Sequence, residues 1–425
     1  MASILCVSAH GNSIPLALRM AQEGHVVRVM YENKDLECVL SGYRNPSSIP
    51  WSVGVDAKAY DLILFDSVGS GDIADKMKER ERIVLSGGTF NDKLTLDREY
   101  GERVALQLMK SVEIEGGGKL AIQTCEDLLK AVSTSEGLVT IKPLSTGSTW
   151  LTLTEMKKGE YLKSVASVYG ESLLPCIVHD AIDGVEISTE GWFNGEMYVS
   201  MNHTLERKRF LPGDIGFNEG SAGSIVWITH GDRLSESTLT PLLPLLKKVK
   251  YIGPISVKCT VNAERVYFTG FNAGFSYDSI QALSELIRGS LFDFFWNVAV
   301  KGKLPPTRSE YALALRLSVP PYPYGKQKDY IERSGVKYLN VSDEAKGHVW
   351  FSDVKWNTEH REVLAGYHGI LGCITGRGST LGECRRRVQR TLDNVVLSKD
   401  IQYRLDLTKV MEEDLSKLRK WGWMS

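Results

Sequence analysis

The chain has 425 residues, more than one hydrophobic core usually serves, so roughly two to four domains are expected. Hydrophobic residues make up 43% and charged residues 24%, a globular balance that excludes a disordered, collagen-like or coiled-coil chain. The 51 basic and 52 acidic residues leave a formal net charge of -1, which excludes a global field for nucleic acid or anionic lipid, so neither is expected as a partner.

The opening reads as strand, turn, helix, strand: Ser3 to Val7, then Ala9 to Ser13, then Ile14 to Glu23 with helical spacing of Ile14, Leu16, Leu18 and Met20, then His25 to Tyr31. Further strands at Asp61 to Phe65 and Arg82 to Leu85 each lead into a loop. Such alternation predicts a parallel sheet whose ligand crevice lies at the carboxyl ends of its strands. No GxGxxG stands at the first turn, so a nicotinamide cofactor is not expected.

From about Glu115 the pattern changes to short extended runs bounded by Gly, Asn or Asp: Leu138 to Pro143, Trp150 to Thr154, Cys176 to His179, Val185 to Phe193 and Met197 to Met201, with a hairpin turn at Asn194-Gly195. Helices are expected over Glu126 to Ser133 and Thr238 to Lys248, and a strand pair over Ile255 to Val261 and Val266 to Phe271. Leu291 to Trp296 reads as a buried helix. In the last section, Leu381, Cys384, Val388 and Leu392 define the apolar face of a helix whose Arg385, Arg386, Arg387 and Arg390 face solvent.

The seven cysteines are scattered singly with no CxxC or Cys/His cluster, so they read as reduced thiols. The start lacks a signal-peptide pattern, and no run of about 18 apolar residues is present to span a membrane. A soluble cytoplasmic protein is the expectation.

Two segments carry candidate chemistry. Thr140-Ile141-Lys142-Pro143 places a lysine at a strand end, followed by the hydroxyl-rich Leu144 to Thr149, where one ammonium and free N–H donors would meet phosphate. An exposed hairpin is the plainer alternative. Asp183-Gly184-Val185-Glu186 is a tight turn entering a strand, with a carboxylate placed either to accept from a ribose or simply to face water.

Taken in order, these motifs resemble the phosphoribosylamine–glycine ligase family of the ATP-grasp superfamily over roughly residues 2 to 408. Thr140-Ile141-Lys142 is similar to the family's Val-Ile-Lys strand. His179 to Glu186 is similar to its Glu-Glu-Phe-Leu-Asp-Gly-Glu-Glu, and Gly216 to Gly223 to its Gly-Pro-Asn-Thr-Gly-Gly-Met-Gly, with the basic pair Lys208-Arg209 ahead of it. Gly270-Phe271-Asn272-Ala273-Gly274-Phe275 resembles the family's Glu-Phe-Asn-x-Arg-Phe. The resemblance implies an α/β (α+β) ATP-grasp fold: an N-terminal parallel-sheet domain over 1–90, an ATP-grasp domain over 91–305 and a C-terminal β-rich domain over 306–425.

By the same resemblance, Lys142, Thr146, Gly147, Ser148, Thr149, Ala181, Ile182 and Glu186 would bind ATP. Lys208, Arg209 and Asn218 would serve catalysis, and Asn272 would hold Mg²⁺. The implied activity joins a carboxylate, such as an amino acid, to an amine through an acyl phosphate. The departures fall on chemistry: the family's loop Gly-Lys-Gly reads Gly147-Ser148-Thr149, its metal glutamate is Gly270, its arginine is Gly274, and its phosphate-binding Gly-Gly-Arg-Glu-His-Ala loop is His10 to Pro15. Asp278 and Glu264 are the nearby carboxylates that might replace the glutamate. The competing expectation is a catalytically inactive ATP-grasp module that binds a protein partner.

Overall fold

The computed structural model describes residues 1–116, 121–133, 139–143, 151–153 and 174–424. Its first layer is a five-stranded parallel sheet of β1 (Ser3–Ser8), β2 (Val26–Tyr31), β3 (Ser47–Pro50), β4 (Leu62–Phe65) and β5 (Val84–Leu85), in the order β3-β2-β1-β4-β5. Strand side chains alternate between faces, and β4 throughout and β1 between its terminal serines are apolar because both faces are covered. Ile4, Cys6, Leu62 and Leu64 enter one core, while Leu5, Val7, Ile63 and Phe65 enter another. The helix Ile14–Gln22 follows β1 with Pro15 in its first turn, where the missing N–H costs nothing.

A nine-stranded sheet dominates the rest. It contains β6 (Val112–Ile114), β10 (Val185–Asn194), β11 (Tyr198–Leu211), β12 (Ile215–Thr229), β13 (Ile252–Val261), β14 (Val266–Asn272), β15 (Tyr311–Ser318), β16 (Val349–Phe351) and β19 (Ile370–Gly378). Their order is β16-β19-β15-β12-β11-β10-β13-β14-β6. Strands from either side of residue 306 share this sheet through the β12–β15 pairing. A three-stranded sheet of β7 (Val139–Pro143), β8 (Leu151–Leu153) and β9 (Cys176–Asp180) leads into β10 through residues 181–184, and β17 (Val354–Trp356) pairs with β18 (Glu362–Leu364).

The register of the large sheet separates its faces. Val185, Ile187, Leu205, Ile225, Val257, Cys259, Leu313, Leu315 and Ile374 fall on one face and are buried. The helix Leu381–Val395 covers the β15–β19 part of this face with Leu381, Cys384, Val388 and Leu392. Arg385, Arg386 and Arg390 are exposed as the spacing predicts, whereas Arg387 is half-buried and donates to Glu383 Oε1 at 2.6 Å. The opposite face carries Glu186, Ser188, Glu190, Asn202, Glu206, Ser224, Ser256 and Lys258.

The structure corrects some of the expected elements. The helix expected over Thr238 to Lys248 is instead Arg233–Thr238, a tight turn at Thr240–Leu242, and Leu243–Lys248. Pro241 and Pro244 supply no N–H, so one continuous ladder cannot form. The strand expected at Met197 to Met201 runs on to Leu211, and the glycine-rich Gly216 to Gly223 lies within β12 as its extended partner. Leu291, Phe292, Phe294 and Phe295 are buried, as expected, on the helix Leu291–Ala299. The seven cysteines are unpaired thiols, and among the described residues no helix is long and apolar enough to cross a membrane.

Candidate functional site

Alternation along three neighbouring strands builds the candidate site. On β10, Glu186, Ser188 and Glu190 face one way; on β11, Asn202, Thr204 and Glu206 join them; on β13, Ser256 and Lys258 complete the row. Lys208, beyond Glu206 at a register shift, reaches the same face, and its Nζ donates to Glu186 Oε2 at 2.5 Å. Of the residues expected from sequence, Glu186 and Lys208 are thus brought together at the exposed rim of the face.

Electrostatics in this row is coupled. Lys208 holds the Glu186 carboxyl below its usual range, and Glu186 and Glu206 outweigh the burial that opposes the charge on Lys208, so its ammonium is favoured. Burial raises Glu115, just beyond β6, to about 7, and repulsion from Glu186 adds to that. Burial also raises Glu190 to about 7, although Ser276 Oγ donates to its Oε2 at 3.0 Å. Lys258 is lowered by burial, against the pull of Glu206 and Glu186.

The other expected residues are placed as follows. Ala181 and Ile182 are half-buried in the 181–184 connection, where the small sheet meets the large one. The backbone of Lys142 pairs with Ile177 inside the three-stranded sheet, and its side chain lies outside the described residues, as do Thr146, Gly147, Ser148 and Thr149. Arg209 is not drawn into the Glu186–Lys208 pair: its guanidinium donates to the Gly216 carbonyl across the β11–β12 hairpin at 3.0 Å. Asn218 Oδ1 accepts from the Gly220 N–H at 3.2 Å, which shapes the strand locally.

The donors present do not fit a magnesium ion. Magnesium needs near-octahedral oxygen ligands, usually with one or two carboxylates besides phosphate. Asn272 Nδ2 donates to Ser276 Oγ at 3.1 Å and its Oδ1 accepts from the Gly274 N–H at 3.4 Å. Gly270 offers no side chain, and its register partner is the cation Lys258. Asp278 is engaged by Arg316 Nε at 2.9 Å, and Glu264 sits in the turn at the far end of the β13–β14 hairpin. Among the described residues no group of three or more His, Cys, Asp or Glu is placed to hold a metal.

A second crevice lies at the carboxyl ends of β1 and β4, where the strand order of the parallel sheet reverses. Asp66 fills it. This buried carboxylate accepts from Ser8 Oγ, from the Ser13 N–H at 2.7 Å and from Ser67 Oγ at 2.8 Å. Burial raises its pKa against those three donors. Gly274 packs here too, since a Cβ on it would stand 3.2 Å from the Asp66 carbonyl oxygen.

Sequence reasoning passed over Glu115, Glu190, Glu206, Lys258 and Arg316, and reached Asp66 only as the start of the loop Asp66-Ser67-Val68, which stands where the resembling family has Pro-Glu. A usable signal existed for two of them: Lys258 in Ile255 to Val261 and Arg316 in Tyr311 to Leu317 each interrupt an apolar strand. The role of Asp66 as an acceptor was hidden, because its partners come from β1 and from the helix start.

No family model matches the chain. The phosphoribosylamine–glycine ligase of Caldanaerobacter subterraneus subsp. tengcongensis is 25% identical over 325 residues, 73% of this chain and 75% of that protein. Other curated relatives with the same name are matched over 55–62% of their own length. The crystal structure of phosphoribosylamine–glycine ligase from Thermotoga maritima superposes with a TM-score of 0.67 at 16% identity, covering 95% of this chain and 99% of that one. Biotin carboxylase from Campylobacter jejuni, solved with β,γ-ATP, gives 0.63 at 12% identity, over 99% and 96% of the two chains.

Proposed function

We propose that the chain, which is similar to phosphoribosylamine–glycine ligases in sequence and fold, is a diverged ATP-dependent ligase of the ATP-grasp type joining a carboxylate to an amine. The observation that carries this reading is the row Glu186, Lys208 and Lys258 on one face of the large sheet, beside the 181–184 connection. Adenine would lie along Ala181 and Ile182, the ribose hydroxyls would donate to Glu186, and the phosphates would extend toward Lys208, Lys258 and Lys142.

In the chemistry this implies, a substrate carboxylate oxygen attacks the terminal phosphorus of ATP and ADP departs. An amine then attacks the acyl carbon, and phosphate leaves with the carboxylate's former oxygen. The amine proton passes to a base such as Glu115, whose raised pKa suits it to exchange protons near neutrality. The protein contributes position and charge, which is where catalysis of acyl-phosphate formation resides.

The substrates proposed are other than phosphoribosylamine. Asp66 occupies the strand-end crevice with a carboxylate, a poor neighbour for a substrate phosphate, and the loop His10 to Pro15 brings no cation other than what His10 can carry. A second reading, a nucleotide-binding module with no turnover, is favoured by Gly270 and by the engaged Asn272.

Calorimetric titration with ATP, followed by assay of ADP release with panels of amino acids and amines, tests both. Saturable ATP binding with substrate-dependent ADP release supports the ligase. Binding without release under every substrate combination overturns it in favour of the module. Lys208→Ala should weaken ATP binding about tenfold, the share of one charge-assisted contact, with the melting temperature unchanged.

A further inference from the structure

We propose that the ammonium of Lys258 stands in for a divalent metal, so that this chain binds a nucleoside polyphosphate without magnesium. The inference rests on the nucleotide site proposed above. Its basis is a substitution of charges that the strand register makes visible. Lys258 pairs with Gly270 across β13 and β14, and the ladder shifts by one residue immediately after them. A Cβ on Gly270 would meet nothing within 4 Å, so the space beside Lys258 on the polar face is open.

Two lysines reach this face, and they differ. Lys208 is committed to Glu186 at 2.5 Å. Lys258, half-buried among the charges of Glu206 and Glu186, has no hydrogen bond or ion pair with any of the described residues. A partly desolvated ammonium without a hydrogen-bonded partner is costly even near carboxylates, and an acceptor arriving from solvent would remove that cost. Phosphate oxygens suit it, because they are strong acceptors that carry the complementary charge.

The same lysine argues against a metal at this position. A divalent cation beside Lys258 would face a like charge, and Glu206 is left as a single nearby carboxylate, since Asp278 serves Arg316, Asn272 serves Ser276, and among the described residues no group of three or more His, Cys, Asp or Glu is placed to hold a metal. Lys258 cannot coordinate a metal while protonated. It therefore supplies the positive charge itself, as a fixed and singly charged group.

The test is ATP binding by the full chain, measured by calorimetry in excess EDTA and again in millimolar magnesium. The expected result is a dissociation constant in EDTA within about threefold of that in magnesium. Lys258→Met should weaken binding in EDTA by about tenfold or more, the loss of one charge-assisted hydrogen bond. Lys258→Arg, which keeps the charge, should retain most of it, and circular dichroism of both variants checks the fold. Binding that occurs only with magnesium, or that is indifferent to Lys258→Met, overturns the inference and leaves the nucleotide site standing. No binding under either condition at millimolar ATP overturns both.

Discussion

At the scale of single residues, the molecule is most informative where a carboxylate is kept from water. Glu190 is buried and its pKa is raised from 4.5 to about 7 by burial. A raised carboxyl pKa means that the folded chain binds the proton more tightly than the unfolded chain. The neutral form's contribution is therefore fully present below pH 4.5 and is lost as pH rises to about 7. At roughly 1.4 kcal/mol per unit, this share is about 3 kcal/mol. Glu190→Gln cannot ionise and should abolish this pH dependence: urea titrations at pH 8 should find the variant more stable by up to that amount, and the two proteins should converge below the ordinary carboxyl range. A variant that is less stable at pH 8 would show that the ionised form is the one the fold prefers.

At the scale of elements, the 181–184 connection sets the geometry between the two sheets. A Cβ on Gly184 would stand 2.7 Å from the Val261 carbonyl oxygen and 2.9 Å from Thr260 Cγ2, so the connection passes against β13 with no room for a side chain. Gly184→Ala should cost about 1–3 kcal/mol through displaced backbone, read as a lower denaturation midpoint. ATP affinity should fall as well if Ala181 and Ile182 line the adenine.

Much at this scale was legible in the sequence. The opening strand and helix, the Asn194-Gly195 turn and the arginine-bearing helix at Leu381 each declare themselves through local period or turn chemistry. What escaped was long-range. The extension of β11 through Arg207 and Arg209 is driven by pairing with β12, and the polar strand residues that stabilise it weaken the local strand signal. Of the candidate site, sequence reasoning named Glu186 and Lys208 on the polar face, whereas Glu115 acquires its meaning from neighbours on other strands.

At the scale of the whole molecule, one core joins the two large layers. Ile4, Cys6, Leu62 and Leu64 of the parallel sheet pack in the same cluster as Trp192, Val226, Ala312 and Ala314 of the nine-stranded sheet, with Phe294 and Phe295 among them. Glu23 ties the layers further by accepting from the Leu291 and Phe292 N–H groups at 2.8 and 3.1 Å. Far-ultraviolet circular dichroism and tryptophan fluorescence should therefore report coincident unfolding of these layers; separated transitions would show that they fold apart. The far end is fastened too: Trp423 is buried, its Nε1 donates to the Asn262 carbonyl at 2.6 Å, and the Arg233 guanidinium lies 3.7 Å from its ring centroid. Trp423→Ala should cost about 3 kcal/mol in denaturant unfolding.

The assembled whole also gives Asp66 a consequence beyond its own hydrogen bonds. Carried on β4 and held by β1 and the following helix, this carboxylate is a ligand tethered to its own receptor. Tethering gives it an effective concentration in the millimolar range or above, and a free anion would have to compete with that before touching the crevice. For a free anion, the crevice of the five-stranded layer is in this sense already occupied.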